Sequence, residues 1–379
     1  MKVSDILEEY KELPSHENIE VLTLTEKNGF VRQADRFHKR LATQDTSKYR
    51  VVNTGDVAYN PYLLWAGAIA VNKSPDPGII SPAYPTFRLK DGFDPGYIFA
   101  LLLSPLMLKR YDTISFGSVP RRRRAATKDF LNLTVPDIPP LEEQQRIAKI
   151  LSTVEEARTK QDALVSELSS LEIAVCDAIF SAATEQIRLE EIADLQGGLT
   201  LNKRRKDNPI EVNYLRVGNV QRRSLELSVV KTIRCKENEV QRCELQKGDV
   251  LLVEANANPY EVGRAAQVPA FDTPTVYQNH LFRARPKNDV HPGYLEQAIN
   301  SMPVRRQLVA LARTTSGLNG FSISQARSLK IPWLSQQMQT ELTDRVSGIR
   351  QARVFQEEKA HRLNELYASL SSRAFAGEL

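Results

Sequence analysis

Glycine is scarce in this chain. The chain has 379 residues and 17 glycines, and no two of these glycines form a Gly-x-Gly pattern. A Gly-Lys-Ser/Thr sequence is also absent. Loops that cradle nucleotide phosphates or S-adenosylmethionine use closely spaced glycines, because the backbone must approach the ligand. The sequence therefore argues against a nucleotide, dinucleotide or S-adenosylmethionine site in this chain.

Cysteine, histidine and long apolar runs are also scarce. The three cysteines have no Cys-x-x-Cys spacing, and the five histidines are scattered without metal-ligand spacing. No apolar run reaches membrane-spanning length, and the N-terminus lacks the apolar core of a signal peptide. We expect a soluble cytoplasmic protein with reduced thiols, no metal and no membrane contact. The net charge of only +5 means that any nucleic-acid site must come from local clusters.

A long helical stretch occurs twice, at about 139–180 and about 332–375, with an offset of 195 residues. In the second copy the seam positions alternate between spacings of four and three residues, which is typical of a coiled coil. Two seam positions are polar in both copies, and such residues can fix register. They are Arg158 with Arg353, and Gln161 with Gln356. Alternatively, these long side chains extend out of the seam into solvent.

The sequence before each helical stretch is also repeated. Gly55-Asp56-Val57 matches Gly248-Asp249-Val250, and Pro95-Gly96-Tyr97 matches Pro292-Gly293-Tyr294. Nearly constant offsets indicate a tandem duplication. We predict an α+β chain in which two mixed α/β domains form a pseudo-two-fold repeat, joined by two long helices in an antiparallel coiled coil. The domains are 1–138 and 183–333, the helices are 139–182 and 334–379, and one apolar helix is predicted over Pro95–Tyr111.

Basic clusters interleaved with amide side chains are the main positive signal. Four consecutive arginines occupy positions 121–124. Arg and Lys bind phosphates, and Asn, Gln and Arg read base edges, although a charge run is otherwise a solvated surface. The candidate DNA-binding residues are Asn60, Tyr62, Arg121, Arg122, Arg123, Arg124, Lys128, Lys203, Arg204, Arg205, Asn219, Gln221, Arg222, Asn256, Asn258 and Asn279.

Two other patterns suggest catalysis only weakly. Asn60-Pro61-Tyr62 and Asn258-Pro259-Tyr260 resemble fragments of the motif by which amino-methyltransferases hold their target amine, but an Asn-Pro turn explains them as well. Asp249 and Glu254 resemble a nuclease carboxylate pair, but no lysine follows at Glu254-Ala255-Asn256. No catalytic residue is predicted.

Several longer segments resemble the specificity subunits of type I restriction–modification systems. They are VPDIPPLEEQQRIAKIL, the helix ending in DAIFS, SLSSRAFAGEL at the C-terminus, and TLTEKNGFVRQADRF with GDVAYNP and GIISPAYPTF. The resemblance covers essentially the whole chain. The second copy departs from it at WLSQQMQTEL, where Gln337 is the residue matched to Gln144.

The resemblance implies a non-catalytic DNA-recognition subunit. Each target-recognition domain would read one half of a split, asymmetric sequence in double-stranded DNA, and the paired helices would set the unread gap. The helices would also dock two methylation subunits, which supply S-adenosylmethionine and adenine methylation, and a restriction/translocase subunit can join them. A self-contained DNA methyltransferase and a coiled-coil scaffold with peptide- or RNA-binding domains are the alternatives.

Overall fold

The computed structural model describes residues 1–15, 19–26, 29–36, 45–117, 123–287, 290–312 and 318–379. The chain divides into two compact units. Unit 1 comprises 1–162 and 357–379, and unit 2 comprises 163–356. Each unit therefore combines one globular part with segments of both long helices. Each unit is described separately below.

Unit 1 begins with a short helix and a strand and ends its globular part at a long helix. The apolar stretch predicted as one helix over Pro95–Tyr111 is two helices, because Ser104 caps a new helix whose first residue is Pro105. Its elements are α1 Val3–Ile6, β1 Leu7–Tyr10, β2 Glu20–Thr25, β3 Gly29–Arg32, α2 Gln33–Arg36, β4 Arg50–Val52, β5 Val57–Tyr59, β6 Ile69–Val71, β7 Gly78–Ile80, β8 Thr86–Leu89, α3 Pro95–Leu102, α4 Pro105–Thr113, β9 Ser115–Phe116, β10 Arg124–Ala125, α5 Thr127–Asn132 and the start of α6 Leu141–Ala182.

Unit 2 follows the same order with extra short strands. Its elements are β11 Gln186–Arg188, α7 Leu189–Ile192, β12 Ala193–Gly197, β13 Ile210–Leu215, β14 Val220–Gln221, β15 Ser224–Leu225, β16 Lys231–Cys235, α8 Glu237–Cys243, β17 Val250–Val253, β18 Ala255–Asn256, β19 Ala265–Gln267, β20 Thr275–Tyr277, β21 Leu281–Pro286, α9 Pro292–Asn300, α10 Met302–Leu311, β22 Asn319–Gly320, α11 Ile323–Arg327, β23 Lys330–Pro332 and the start of α12 Gln336–Ala376.

The same four-stranded antiparallel sheet occurs in both units. Its strand order is β1-β8-β5-β6 in unit 1 and β12-β21-β17-β19 in unit 2. A second sheet in each unit contains one parallel pair, β2 with β7 and β13 with β20. Corresponding strands occur in the same chain order in both units, so the duplication inferred from scattered matches is a structural repeat. The α+β class and the two-domain repeat are confirmed.

The matched Gly-Asp-Val segments form equivalent turns. Gly55 and Gly248 have φ angles of +86° and +95°, which favour glycine because a side chain there is strained. Asp56 accepts a bond from the backbone nitrogen of Asn53 at 2.8 Å, and Asp249 accepts one from Gln246 at 2.8 Å. These buried aspartates therefore stabilise turns, and Asp249 also pairs with Arg285 at 2.7 Å.

The long helices lie within two residues of the predicted helical stretches at most of their ends, and their least exposed positions follow the predicted four-and-three spacing. In unit 1 the apolar side chains of Ile147, Leu151 and Phe375 enter the core beside the sheet. In unit 2 the equivalent Leu342, Val346 and Phe180 do the same. The helix ends are therefore part of the globular cores rather than separate appendages.

Polar bonds of the long helices have an antiparallel order in unit 1. There, Arg146 donates to the backbone oxygen of Leu379, just beyond α12, at 2.8 Å, and Arg158 Nε donates to Asn364 Oδ1 at 2.7 Å. A later residue of α6 thus meets an earlier residue of the second helix. In unit 2, Arg350 donates to Glu172 at 2.8 Å.

Candidate nucleic-acid interface

The basic residues of unit 1 differ in their exposure and in whether they bond to other residues of the unit. Arg124 and Lys128 are exposed, and the Arg124 guanidinium lies 6.0 Å from the ring centre of the exposed Tyr62. Arg123 is used internally, because it forms an ion pair with Asp112 at 2.8 Å and donates to the carbonyl of Ser115 at 3.0 Å. Predicted contacts at Arg121 and Arg122 lie outside the described residues.

The two Asn-Pro-Tyr segments form the same turn in both units. Asn60 Oδ1 and Asn258 Oδ1 each accept a bond at 3.0 Å from the backbone nitrogen of the tyrosine two residues later. Asn60 is only 7% exposed, and its amide donates to the Tyr84 hydroxyl at 2.8 Å. This geometry favours the turn interpretation for Asn60, whereas Asn258 remains exposed at the surface.

The loop before β13 in unit 2 presents several exposed cations. Lys203 and Arg204 are exposed on a short 3-10 helix that Asn202 caps, since Asn202 Oδ1 accepts from the Arg204 nitrogen at 3.1 Å. Arg205 instead points inward and forms a two-bonded ion pair with Glu239 at 2.9 and 3.1 Å. Arg205 therefore holds this loop against α8, and the exposed Lys203, Arg204 and Lys206 are left for an external anion.

The predicted cluster around Asn219 separates into buried and exposed residues. Asn219 is 4% exposed and donates to the carbonyls of Glu226 and Val229 at 2.8 and 3.0 Å, so its amide braces the loop. Gln221 is exposed and donates to the carbonyl of Gly218 at 3.0 Å. Arg222 pairs with Glu261 at 3.1 Å, which anchors it to the turn after Asn258.

A buried arginine supports that same turn from below. Arg305 donates to the carbonyls of Val262 and Tyr260, each at 2.6 Å. Burial lowers the pKa of Arg305 to about 10, and the nearby charge of Arg222 adds to that effect. Two guanidiniums therefore hold the Tyr260 carbonyl, because Arg222 also donates to it at 2.6 Å. Two arginines therefore hold the exposed Asn-Pro-Tyr turn of unit 2 in place.

Three loops of unit 2 meet near Asn279. The Asn279 backbone nitrogen donates to the carbonyl of Leu199 at 3.0 Å, which joins this loop to the segment before Lys203. Asn279 Nδ2 lies 3.5 Å from His280 Nε2, and His280 Nδ1 lies 2.7 Å from Glu254 Oε2. Glu254 directly precedes β18, which carries Asn256. The predicted residues Lys203, Arg204, Asn256, Asn258 and Asn279 thus lie on connected loops.

The predicted register residues are found where the helices meet. Arg158 bonds Asn364 and also lies over the Tyr367 ring, 4.7 Å from its centre. Arg353 donates to Glu172 at 3.3 Å. Gln161 and Gln356 occupy half-buried seam positions of the same kind. The two arginines, 195 residues apart, therefore make polar contacts with the opposite helix within their own units.

Several exposed side chains near these loops did not emerge from the sequence. Phe116 is 69% exposed on the ribbon that pairs it with Arg124, and Tyr260 is 67% exposed on the second Asn-Pro-Tyr turn. His280 has no metal-ligand spacing to another histidine, and its residue type alone does not indicate a DNA contact. The signal that could have identified Tyr260 is its match to Tyr62, which is a predicted DNA-binding residue.

The described residues hold no group of three or more His, Cys, Asp or Glu side chains suited to a metal ion. Within the same ranges, no helix combines the length and apolar character needed to cross a membrane.

Comparisons with known proteins agree on one family. Residues 23–164 match the family model described as the type I restriction modification DNA specificity domain. The chain is 26% identical over 310 residues to the type I restriction enzyme EcoKI specificity subunit of Escherichia coli (strain K12), in an alignment covering 75% of this chain and 65% of that protein.

Solved structures of similar fold include the S subunit of a type I restriction–modification system from M. genitalium. It has a TM-score of 0.60 and 14% identity, and the match covers 99% of this chain and 95% of that one. A second structure, from work on complex assembly and conformational transition of the type I R-M system, has a TM-score of 0.59 and 15% identity, with coverage of 100% and 97%. At this identity the likeness concerns the fold.

Proposed function

We propose that this chain, which belongs to the family of type I restriction–modification specificity subunits, is a non-catalytic subunit that reads DNA in two separated parts. The observation that carries the proposal is the repeated four-stranded sheet, β1-β8-β5-β6 and β12-β21-β17-β19, each copy followed by a long helix. Two related but non-identical domains suit a target whose two half-sequences differ.

The proposal assigns a role to each of four segments of the chain. Residues 1–138 and 183–333 are the target-recognition domains, and residues 139–182 and 334–379 are spacers that form an antiparallel coiled coil. Its support is the antiparallel order of the polar bonds in unit 1. A helix of 42 residues is about 63 Å long at about 1.5 Å per residue, and recognition elements one DNA turn apart are separated by about 34 Å. The spacer is long enough to set an unread gap.

The proposed DNA contacts are the members of the predicted set that are exposed or half-buried and are not engaged in the ion pairs described above. In unit 1 they are Tyr62, Arg124 and Lys128, with Arg121 and Arg122 retained as predictions from the sequence. In unit 2 they are Lys203, Arg204, Gln221, Asn256, Asn258 and Asn279. Cations on these loops would neutralise phosphates, and the amides would bond to base edges. Asn60, Arg123, Arg205, Asn219 and Arg222 would hold the loops that present them.

The chemistry in this proposal belongs to partner chains. Two methylation subunits would bring S-adenosylmethionine and methylate adenine, and restriction/translocase subunits would join the complex in the cytoplasm. The absence of a Gly-x-Gly pattern in this sequence supports an external cofactor. The curated relative is named as the specificity subunit of a restriction enzyme, which fits a subunit that supplies recognition to others.

Domain exchange tests this function. Residues 1–138 are replaced by the corresponding domain of another family member, and methylated sites are mapped by methylation-sensitive sequencing in cells that contain the methylation subunits. We expect one half-sequence to change while the other half and the gap persist. A reciprocal exchange of 183–333 is the matched control and should change the other half only. Methylation by the purified chain with S-adenosylmethionine alone would instead identify a self-contained methyltransferase.

A further inference from the structure

The two Pro-Gly-Tyr segments lie at the starts of α3 and α9. Each is the first turn of a helix, with Pro95 or Pro292 at the first helical position. Proline suits that position because its missing N–H has no helical partner there. The function of the glycine and the tyrosine needs a separate explanation, and both contact the long helices.

A buried glutamine links each of these turns to a long helix. Gln144 Oε1 accepts from the Asp94 backbone nitrogen at 2.9 Å, and its Nε2 donates to the Pro139 carbonyl at 2.8 Å. Gln339 Oε1 accepts from His291 at 3.0 Å, and its Nε2 donates to Leu334 at 2.9 Å. The equivalent of Gln144 is thus Gln339, at the offset of 195, and the match to Gln337 was wrong because Gln337 points to solvent and bonds Glu341.

The glycine allows the short helix to touch the long helix directly. A Cβ atom added at Gly96 would lie 3.2 Å from the Cβ of Ala148. A Cβ atom added at Gly293 would lie 2.5 Å from Cγ2 of Thr343, which is closer than real Cβ contacts allow. Ala148 and Thr343 are equivalent residues of the two long helices, 195 residues apart. The contact is therefore present in both units, and it is tighter in unit 2.

The tyrosine of each segment contacts the end of the other long helix. The rings of Tyr97 and Phe375 are 5.5 Å apart in unit 1, and those of Tyr294 and Phe180 are 5.9 Å apart in unit 2. Phe180 and Phe375 are again equivalent residues. Each Pro-Gly-Tyr turn therefore contacts the beginning of one long helix through its glycine, next to the bond from that helix's glutamine, and the end of the other long helix through its tyrosine.

We propose that these two sets of residues, here called the helix joints, determine the length of the unread gap together with the spacer helices. The joints comprise Gly96, Tyr97, Gln144, Ala148 and Phe375 in unit 1, and Gly293, Tyr294, Gln339, Thr343 and Phe180 in unit 2. This inference rests on the proposed function. A rotation of about 10° at a joint displaces a point about 20 Å away by about 3.5 Å, which is about one base-pair step. A change in joint angle therefore changes the preferred gap without touching the residues that read bases.

The test uses the full complex with its methylation subunits and a DNA library. The library keeps both half-sites constant and varies the gap in single base pairs. Gly293→Ala is compared with Gly293→Ala/Thr343→Ala, in which the second substitution recreates the small Ala148 side chain of unit 1. Gly348→Ala is the matched control, because Gly348 lies on the same long helix as Thr343 and, among the described residues, no atom outside its own stretch of helix lies within 4 Å of the added Cβ.

We expect Gly293→Ala to shift the preferred gap by at least one base pair, or to reduce the preference over neighbouring gaps about tenfold. Both half-sequences should stay unchanged. The double variant should restore the original gap profile, and Gly348→Ala should leave it unaltered. Gly96→Ala adds a milder contact, so it tests the inference in unit 1 if Gly293→Ala fails to fold.

An unchanged gap profile in folded Gly293→Ala or Gly96→Ala complexes would overturn the inference, and so would a changed half-sequence. A wild-type complex without sequence-specific methylation would instead overturn the proposed function itself.

Discussion

The buried carboxylate of Glu172 supports a sharp prediction about the stability of unit 2. Glu172 is 1% exposed. It accepts bonds from Arg350 at 2.8 and 3.0 Å and from Arg353 at 3.3 Å, and Arg223 lies 3.7 Å away. Glu172→Gln keeps the shape of the side chain but removes the charge that these guanidiniums share. The remaining buried carboxylate of this network, Glu296, bonds Arg350 at 2.8 Å.

The expected cost follows from the exposure of the partners. Breaking a buried ion pair by removing one member costs about 3–5 kcal/mol. The Arg350 and Arg353 side chains are 25% and 24% exposed, so water stabilises them in part after the substitution. The glutamine also keeps one acceptor oxygen. We therefore expect a loss of about 2–3 kcal/mol, or about 4–12 °C in Tm for a unit of this size.

Thermal unfolding followed by circular dichroism, at low and at high salt, measures this effect. The matched control is Glu155→Gln, whose ion pair with Arg158 is exposed and contributes about 0–1 kcal/mol. The Glu172→Gln effect should persist at high salt, because buried pairs are screened little. Equal Tm losses in the two variants, or a Glu172→Gln loss that disappears in high salt, would refute this account of the network.

Four further predictions concern other positions. Lys203→Ala combined with Arg204→Ala should reduce the slope of log affinity for DNA against log salt concentration by about two, whereas Arg205→Ala should mainly lower Tm. An equal change of slope in both variants would contradict the assignment of Lys203 and Arg204 to phosphates and of Arg205 to the loop. In a urea titration, Gly263→Ala should destabilise unit 2 by about 1–3 kcal/mol, because φ at Gly263 is +67° and the added Cβ would lie 2.7 Å from the Leu308 side chain. Gly218→Ala is the control and should have little effect, because the added Cβ would enter open space. Burial raises the pKa of the Cys176 thiol to about 11 and also raises the pKa of the Cys235 and Cys243 thiols. Iodoacetamide should therefore label the native protein slowly up to about pH 9, and it should label all three thiols after unfolding. Rapid labelling of the native protein would contradict this. Burial raises the pKa of Glu296, so the folded state binds the Glu296 proton more tightly than the unfolded state does, and stability falls as pH rises from the ordinary glutamate pKa towards the raised one. In a pH series of urea titrations, Glu296→Gln should flatten this dependence of stability on pH. An unchanged dependence would exclude Glu296 as its cause.

Long-range periodicity was the most reliable guide in the sequence. The four-and-three spacing extends over about 40 residues, and the predicted helices agree closely with Leu141–Ala182 and Gln336–Ala376. The duplication was equally visible, because it rests on several matches at nearly one offset. Local breaks were harder to predict. Ser104 and Pro105 interrupt an otherwise apolar helix, and apolar composition alone does not reveal a cap.

The direction of polar side chains could not be predicted from residue type. Asn60 and Asn219 have the composition of base-reading residues, yet each amide is used by carbonyls, nitrogens or hydroxyls of its own domain. Arg123 and Arg205 belong to basic runs, yet each meets an acidic partner distant in sequence. The clusters of basic residues in the sequence therefore predict where the basic surface lies. They do not show which arginines form internal ion pairs, because the acidic partners come from other elements of the fold.

The seam contacts of the two arginines have a consequence for fragments of this chain. Glu172 and Tyr367 are equivalent positions, 195 residues apart, so Arg353 meets a carboxylate where Arg158 meets an aromatic ring. If two copies of the first half paired through their helices in the same register, each Arg158 would face the Glu172 of its twin. Two copies of the second half would place Arg353 against Tyr367. A first-half fragment thus carries a matched cation and anion for symmetric self-association, and a second-half fragment does not, so a split gene would yield halves of unequal tendency to form homodimers.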